Sequence, residues 1–434
     1  MTKQIPILAV AGMLCLSLGH PAVAAPEPVP LPLKQAELIA MQNHPKITAA
    51  GLLALAAKQV VRQSRSAYFP IITANATAVG AADENNTRIA AGGLNNPLIL
   101  DRNAEGINVT QLIYDFGRTA NLTASSKLRS RAEEENALAT RAQILLQVDA
   151  TYLDALEAQS VLRVAQQTVA TRQNLFDQVN ELAKNNLKSG LDVSFAKVSL
   201  EESKLLLAKA RNDLEGAFAT LANLLAEREQ KNYRLLDEPP PAALTLDTPQ
   251  LVEKALANRP DLARLRFQGK AAEKFALAEK DLHYPTISAM GSAGVIPLHD
   301  SKLNDTYAAA GVNLSLPIFD GFLYSARSKE AQFRARAVEE SLRGEENNVI
   351  HDVKVAVLNF NYAAERATMT ASLVASADDA FELAEARYKV GSSSIVELSQ
   401  AQLSKTEAEI AQARAKYEYQ IRNAILNFQT GAMQ

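Results

Sequence analysis

The chain carries one unit twice. Asn43-His44-Pro45 returns as Asn258-Arg259-Pro260, and Tyr68-Phe69-Pro70 returns as His283-Tyr284-Pro285, both 215 residues later. Ile113-Tyr114-Asp115 returns as Ile318-Phe319-Asp320 after 205 residues, and that offset persists through Phe176 and Phe381, Asp192 and Glu397, and Ala196 and Ala401. A single ten-residue slip between Pro70 and Asp115 marks a loop of different length in the two copies. Such a repeat limits the fold to two equivalent modules before any local reading begins. The first unit spans 25–226, a Pro-rich linker containing Asp237-Glu238-Pro239-Pro240-Pro241 spans 227–250, and the second unit spans 251–434.

Residues 1–24 read as an export signal. Lys3 supplies the positive start, Ile5 to Leu18 the short apolar stretch, and Ala22-Val23-Ala24 the small-x-small cleavage pattern. Leu14, not a small residue, precedes the sole cysteine, Cys15, so a lipoprotein signal is not expected. The expected mature chain has no thiol, disulfide or lipid anchor. A net charge of −3 gives no nucleic-acid footprint. The five histidines are scattered, so neither a metal site nor a cofactor is expected.

From Thr119 to Ser189 there is no glycine or proline, and the second copy repeats this from Phe322 to Val390 with only Gly344. Both stretches are rich in strong helix formers, and at about 1.5 Å per residue each makes a helix on the order of 100 Å long. Apolar residues recur every seventh position: Val148, Ala155, Leu162, Val169, Phe176 and Ala183, matched by Val353, Phe360, Ala367, Val374, Phe381 and Tyr388. A sustained heptad predicts left-handed supercoiling against neighbours. The polar Gln159, Gln166 and Gln173 at the other seam fit a wider sheet of helices. Shorter helices are predicted over 45–66, 192–226, 260–282 and 397–430.

Alternating apolar and polar residues predict strands at about 70–80, 104–114, 285–297 and 307–319, the pattern of a membrane β-barrel. Tyr68, Phe69, Tyr114, Phe116, Tyr284, Phe319 and Phe322 gather at the strand bases, where a bilayer interface would hold them. The polar stretch from Gly80 to Asn103 is expected to be an external loop. Four strands cannot close a usable barrel, because about eight is the practical minimum. Several chains must therefore share one; three would give twelve strands.

In this order and duplicated, the motifs resemble the TolC-like outer-membrane efflux proteins over essentially the whole mature chain. They are the two Asn-x-Pro helix starts, the entries at Pro70 and Pro285, and the exits Asp115-Phe116-Gly117 and Pro317-Ile318-Phe319-Asp320-Gly321. The turns Leu191-Asp192-Val193 and Tyr388-Lys389-Val390-Gly391 complete the set. The resemblance implies a mostly α-helical homotrimer in which a shared twelve-stranded β-barrel crosses the outer membrane of a Gram-negative bacterium. An α-helical tunnel then reaches through the periplasm, with an equatorial belt formed by the termini and the linker. It implies a passive duct that joins a periplasmic adaptor protein and an inner-membrane pump, in efflux or type I secretion.

The resemblance also places a gate at the helix tips. Asn186 stands where Gly391 stands in the second copy; asparagine is the second choice for a left-handed residue, so the turn is expected to survive. Gly190 is expected to add a flexible point to the first turn. In the family, the equivalent of Tyr388 hydrogen-bonds to an acid matching Asp192, and two inward acids match Glu397 and Gln400. Ser393 replaces a common arginine, so fewer charge-assisted bonds are expected here. Under three-fold symmetry Glu397 would form a carboxylate ring and Gln400 a neutral one.

No nucleophile elbow, phosphate loop or paired helical histidines are present in the sequence, so an enzyme is not expected. A soluble periplasmic coiled-coil adaptor would share the export signal and heptads. It would not need two alternating strand pairs.

Overall fold

The computed structural model describes residues 29–80, 87–91, 94–99, 102–227, 231, 233–239, 247–299 and 303–433. The expected signal over 1–24 and much of the Pro-rich linker lie outside these residues. In chain order the elements are β1 (Val29–Leu31), α1 (Leu33–Asn43), α2 (Pro45–Ser66), β2 (Ile71–Val79), β3 (Thr87–Ala91), β4 (Leu94–Ile99), β5 (Arg102–Tyr114), α3 (Arg118–Lys184) and α4 (Gly190–Leu224). There follow β6 (Tyr233–Leu235), α5 (Thr248–Asn258), α6 (Pro260–Lys280), β7 (Thr286–His299), β8 (Thr306–Ser315), α7 (Leu323–Lys389) and α8 (Ile395–Gln429). Helices α3 and α7 are 67 residues each, and α4 and α8 are 35 each. With α2 and α6 at 22 and 21 residues, two short helices stand beside each long one.

The heptad seam has two columns. On α7 the expected positions Val353, Phe360 and Tyr388 are buried, and Ala367, Val374 and Phe381 are half-buried. A second column lies four residues before each: Val349, Ala356, Ala363, Thr370, Ala377 and Ala384, all buried. Four of these six are alanine, small enough to let neighbouring backbones approach. In α3 that column includes Ala165, Arg172 and Val179. The buried Arg172 is accommodated because its Nη1 donates to the Ser199 carbonyl at 2.6 Å.

Along the lower half the helices pack in the order α4-α3-α8-α7, and along the upper half in the order α2-α3-α6-α7. Helix α7 is one edge throughout; α2 and α4 make the other. The four-stranded sheet repeats this order as β2-β5-β7-β8, every pair antiparallel, with β2 and β8 as its edges. Cross-strand rows give it two unlike faces. Ile72, Val109, Gly291 and Ala310 form one row, and Ala74, Ile107, Ala293 and Ala308 the next. The opposite face carries Thr73, Asn108, Ser292 and Ala309, then Asn75, Gly106, Gly294 and Tyr307.

The structure differs from the sequence-based expectation in three places. Strand β8 stops at Ser315 and not near 319, because Pro317 has no N–H for the ladder. The stretch from Gly80 to Asn103 contains the antiparallel pair β3–β4. Helices α1 and α5 were not expected, nor was the parallel β1–β6 pair. That pair is fastened to α3 by the buried Tyr152. Its hydroxyl lies 2.7 Å from the Leu31 carbonyl oxygen and accepts the Leu236 N–H at 2.9 Å. Among the described residues no helix is long and apolar enough to cross a membrane.

Candidate functional site: the junctions and the helix tips

At both strand-to-helix junctions an aspartate starts the long helix. Asp115 Oδ2 accepts the Thr119 N–H at 2.7 Å and its Oδ1 the Gly117 N–H at 3.3 Å; Asp320 Oδ2 accepts the Tyr324 N–H at 2.7 Å. A carboxylate at a helix start satisfies orphan donors and suits the dipole. Both turns use two consecutive left-handed residues, Phe116 and Gly117 (φ +54° and +102°) and Gly321 and Phe322 (φ +65° and +67°). Pro70 and Pro285 each precede a strand, β2 and β7. The aromatic residues are exposed on the single chain, Phe319 at 77 % and Phe322 at 74 %. Some touch one another: Phe116 stacks on Tyr284 with ring centroids 5.5 Å apart.

At the other end of the molecule both hairpins close by the same turn. Asn186 (φ +59°) and Gly391 (φ +77°) are left-handed, as expected. The Leu187 N–H donates to the Leu182 carbonyl at 2.9 Å, and Ser392 N–H to that of Arg387 at 2.9 Å. These six-to-one bonds end each helix cleanly. Ser189 and Ser394 then cap the returning helices, accepting the N–H groups of Asp192 and Glu397, each at 3.2 Å. Gly190 is not part of the turn. It is the first residue of α4, placed there by the Ser189 cap.

The two acids differ in where they go. Asp192 Oδ2 accepts both the N–H of Ser189 at 3.0 Å and its hydroxyl at 2.8 Å. This completes a reciprocal capping box, and these bonds hold its carboxyl below the usual carboxylate range. Glu397 instead pairs with Arg387 Nη1 at 2.9 Å. The bond from Tyr388 to Asp192 is absent, because Asp192 is turned back along its own helix. Among the described residues the buried Tyr388 Oη has no hydrogen-bond partner. Burial, then the Asp192 charge, raise its pKa. Gln400 is exposed, three residues after Glu397.

Between the hairpins Val179, Ala196, Ala384, Tyr388, Ile395 and Leu398 form one apolar cluster. Lys188 Nζ sits over the Tyr388 ring, 4.2 Å from its centroid. Sequence reasoning assigned no role to Arg387 or Lys188. The available signal was a cation ten residues before Glu397 and another inside the first turn. Among the described residues no group of histidine, cysteine and acidic side chains could hold a metal ion.

Twin helical hairpins hung from an amphipathic antiparallel sheet, with an edge strand open on each side, define a channel-forming outer-membrane protein. The chain belongs to the outer membrane efflux protein family, whose model matches residues 39–227 and 251–432, one stretch per copy. It is similar to the outer membrane protein TolC of Vibrio cholerae, 25% identical over 400 residues covering 89% of this chain and 88% of that protein. TolC of Escherichia coli K12 is 23% identical over 442 residues, covering 97% and 85%. Among solved structures, the outer-membrane channel OprN superposes with a TM-score of 0.80 at 19% identity over 92% of this chain and 89% of that one. The open state of the Neisseria gonorrhoeae MtrE outer membrane channel gives 0.73 at 20% identity over 92% and 88%. The chain is thus an outer-membrane efflux duct of the tripartite type, with its helices in the periplasm, and not a soluble adaptor. Members of this family act as trimeric channels with adaptor and pump partners.

Proposed function

We propose that three copies of this chain close edge to edge into one passive duct without enzymatic activity. The observation that carries this reading is the agreement of the open edges. Strand β2 runs antiparallel to β8, so β8 of one chain can continue the ladder onto β2 of the next. Three sheets then make twelve strands, with the apolar face to outer-membrane lipid and the polar face inward. The helices beneath agree. Edge helix α4 exposes Leu191, Phe195, Val198 and Leu205, and edge helix α7 exposes Leu358, Tyr362, Met369 and Leu373. Apolar stripes of this extent mark protein interfaces.

The periplasmic tips form the constriction, with Asp192 and Tyr388 in the walls of a gate and Glu397 and Gln400 on the exposed side of α8. A periplasmic adaptor and an inner-membrane pump complete the path and supply the energy. Cysteine pairing tests the closure. Ala74→Cys on β2 is combined in turn with Ala308→Cys, Ala310→Cys and Val312→Cys on β8. One combination is expected to form disulfides between chains, giving covalent trimers. No cross-link from any combination in folded protein would overturn the edge pairing.

A further inference from the structure

We propose that Lys188 is a positioning residue that latches the two hairpin tips of each chain together through the ring of Tyr388, in place of a hydrogen bond from its hydroxyl. This rests on the reading of the tips as a gate. Three observations place the latch. Tyr388 belongs to the last turn of α7 and is only 8 % exposed, inside the apolar cluster that joins the hairpins. Among the described residues its Oη has no hydrogen-bond partner, so the hydroxyl bonds to nothing described across the tip. The ring face, in contrast, carries the Lys188 ammonium at 4.2 Å from its centroid.

Lys188 is placed by the backbone turn. Asn186 in the left-handed region reverses the chain and Ser189 caps α4, which leaves Lys188 between them and directed at the other hairpin. The Lys188 charge is the smallest of the influences on the Asp192 carboxyl, which its own cap already holds low. The close contact of the cation is therefore the aromatic face on the other hairpin. A cation over a tyrosine face is attracted by the ring quadrupole, more strongly when partly desolvated. In the second copy Ser393 occupies the position of Lys188, so that position carries no cation at the second tip.

Single-channel conductance in planar bilayers separates the ring from the hydroxyl. Lys188→Gln keeps most of the stem and removes the charge; Tyr388→Leu removes the ring. Each is expected to raise the closed-state conductance roughly threefold, and the double variant no further, because both break one contact. Lys188→Arg and Tyr388→Phe keep a cation on a ring and are expected to retain the low conductance. Leu398→Ala, in the buried tip cluster, is the control for the gate itself. If Leu398→Ala raises conductance and Lys188→Gln does not, the latch is wrong and the gate stands. The latch is equally wrong if Tyr388→Phe leaks as much as Tyr388→Leu. If Leu398→Ala and Tyr388→Leu also leave conductance unchanged, the tips are not a gate and the latch falls with it.

Discussion

At the first hairpin tip the left-handed residue is Asn186, and the acid in the first turn of the returning helix, Asp192, bonds back to its own cap, Ser189. At the second the left-handed residue is Gly391, and the corresponding acid, Glu397, reaches the other way to Arg387. Arg387 is replaced by Leu182 in the first copy. Both turns keep the six-to-one bond and the serine cap, because a helix reversal needs its end groups satisfied. An acid suits the positive end of the returning helix in either rotamer. The partners differ: Ser189 for Asp192, and for Glu397 the cation Arg387, which stands only on the second departing helix. Duplication preserved the backbone solution and left the charges free to diverge.

The strongest break between the copies is expected in the sheet. Gly106 and Gly311 are equivalent by the 205-residue offset, but Tyr307 lies across Gly106 and Gly294. A Cβ at Gly106 would also stand 2.7 Å from the Ala293 carbonyl oxygen, whereas one at Gly311 would meet nothing within 4 Å. Gly106→Ala should cost about 1–3 kcal/mol through overpacking, and Gly311→Ala less than about 0.5 kcal/mol. Thermal unfolding of the detergent-solubilised protein compares them. Equal shifts would show that Tyr307 does not distinguish the copies.

The turns should respond next. Gly391→Val forces a β-branched residue to φ +77°, which is expected to cost about 1–2 kcal/mol. Asn186→Gly relieves a milder strain and should stabilise by a few tenths of a kcal/mol. Loss of stability in the glycine variant would mean that the Asn186 side chain contributes beyond its backbone angle.

A third contrast lies at the belt. Asp149 is buried under α1 where its equivalent, Lys354, is exposed. Burial, with Glu37 and Glu238 nearby, pushes its carboxyl up to about 8. The folded state therefore retains a proton that the unfolded chain releases near pH 4. Its contribution is complete below about pH 4 and is lost as pH rises through about 8. Asp149→Asn should match the wild type at pH 4 and melt about 2 °C higher at pH 8. An equal difference at both values would remove the carboxyl as the source.

The smallest effect on stability concerns Arg387. Its ion pair with Glu397 is half-exposed and worth about 0–1 kcal/mol. Arg387→Leu copies the first tip and uncovers the Glu397 carboxylate, so cation selectivity and block by multivalent cations should both rise, by roughly twofold. Glu397→Gln should lower both. Unchanged selectivity in both variants would move the constriction charge away from Glu397.

The long helices, the duplication and the strand bases were legible because each is a pattern repeated over many residues. The same holds for Asp115 and Asp320, which stand just before glycine-containing turns. Helices α1 and α5 were not legible, at 11 residues each and ending directly before another helix start. The Thr248-Pro249 pair was the one available signal for α5. The three-residue strands β1 and β6 carry no pattern at all; Tyr152 fastens them from more than 80 residues away. At the tips the turn residues were visible, but the partner of Asp192 was not. Ser189 and Tyr388 both offer it a hydroxyl, and only the local geometry of the cap decides between them.

The chain has β2, α2 and α4 on one edge and β8 and α7 on the other, and under the proposed closure it supplies a third of the wall. Native mass spectrometry of the detergent-purified protein tests this most directly. A single species of three chains is expected, which Ala308→Asp on the lipid-facing row of β8 should weaken. A stable monomer or dimer with the same helix content would contradict it.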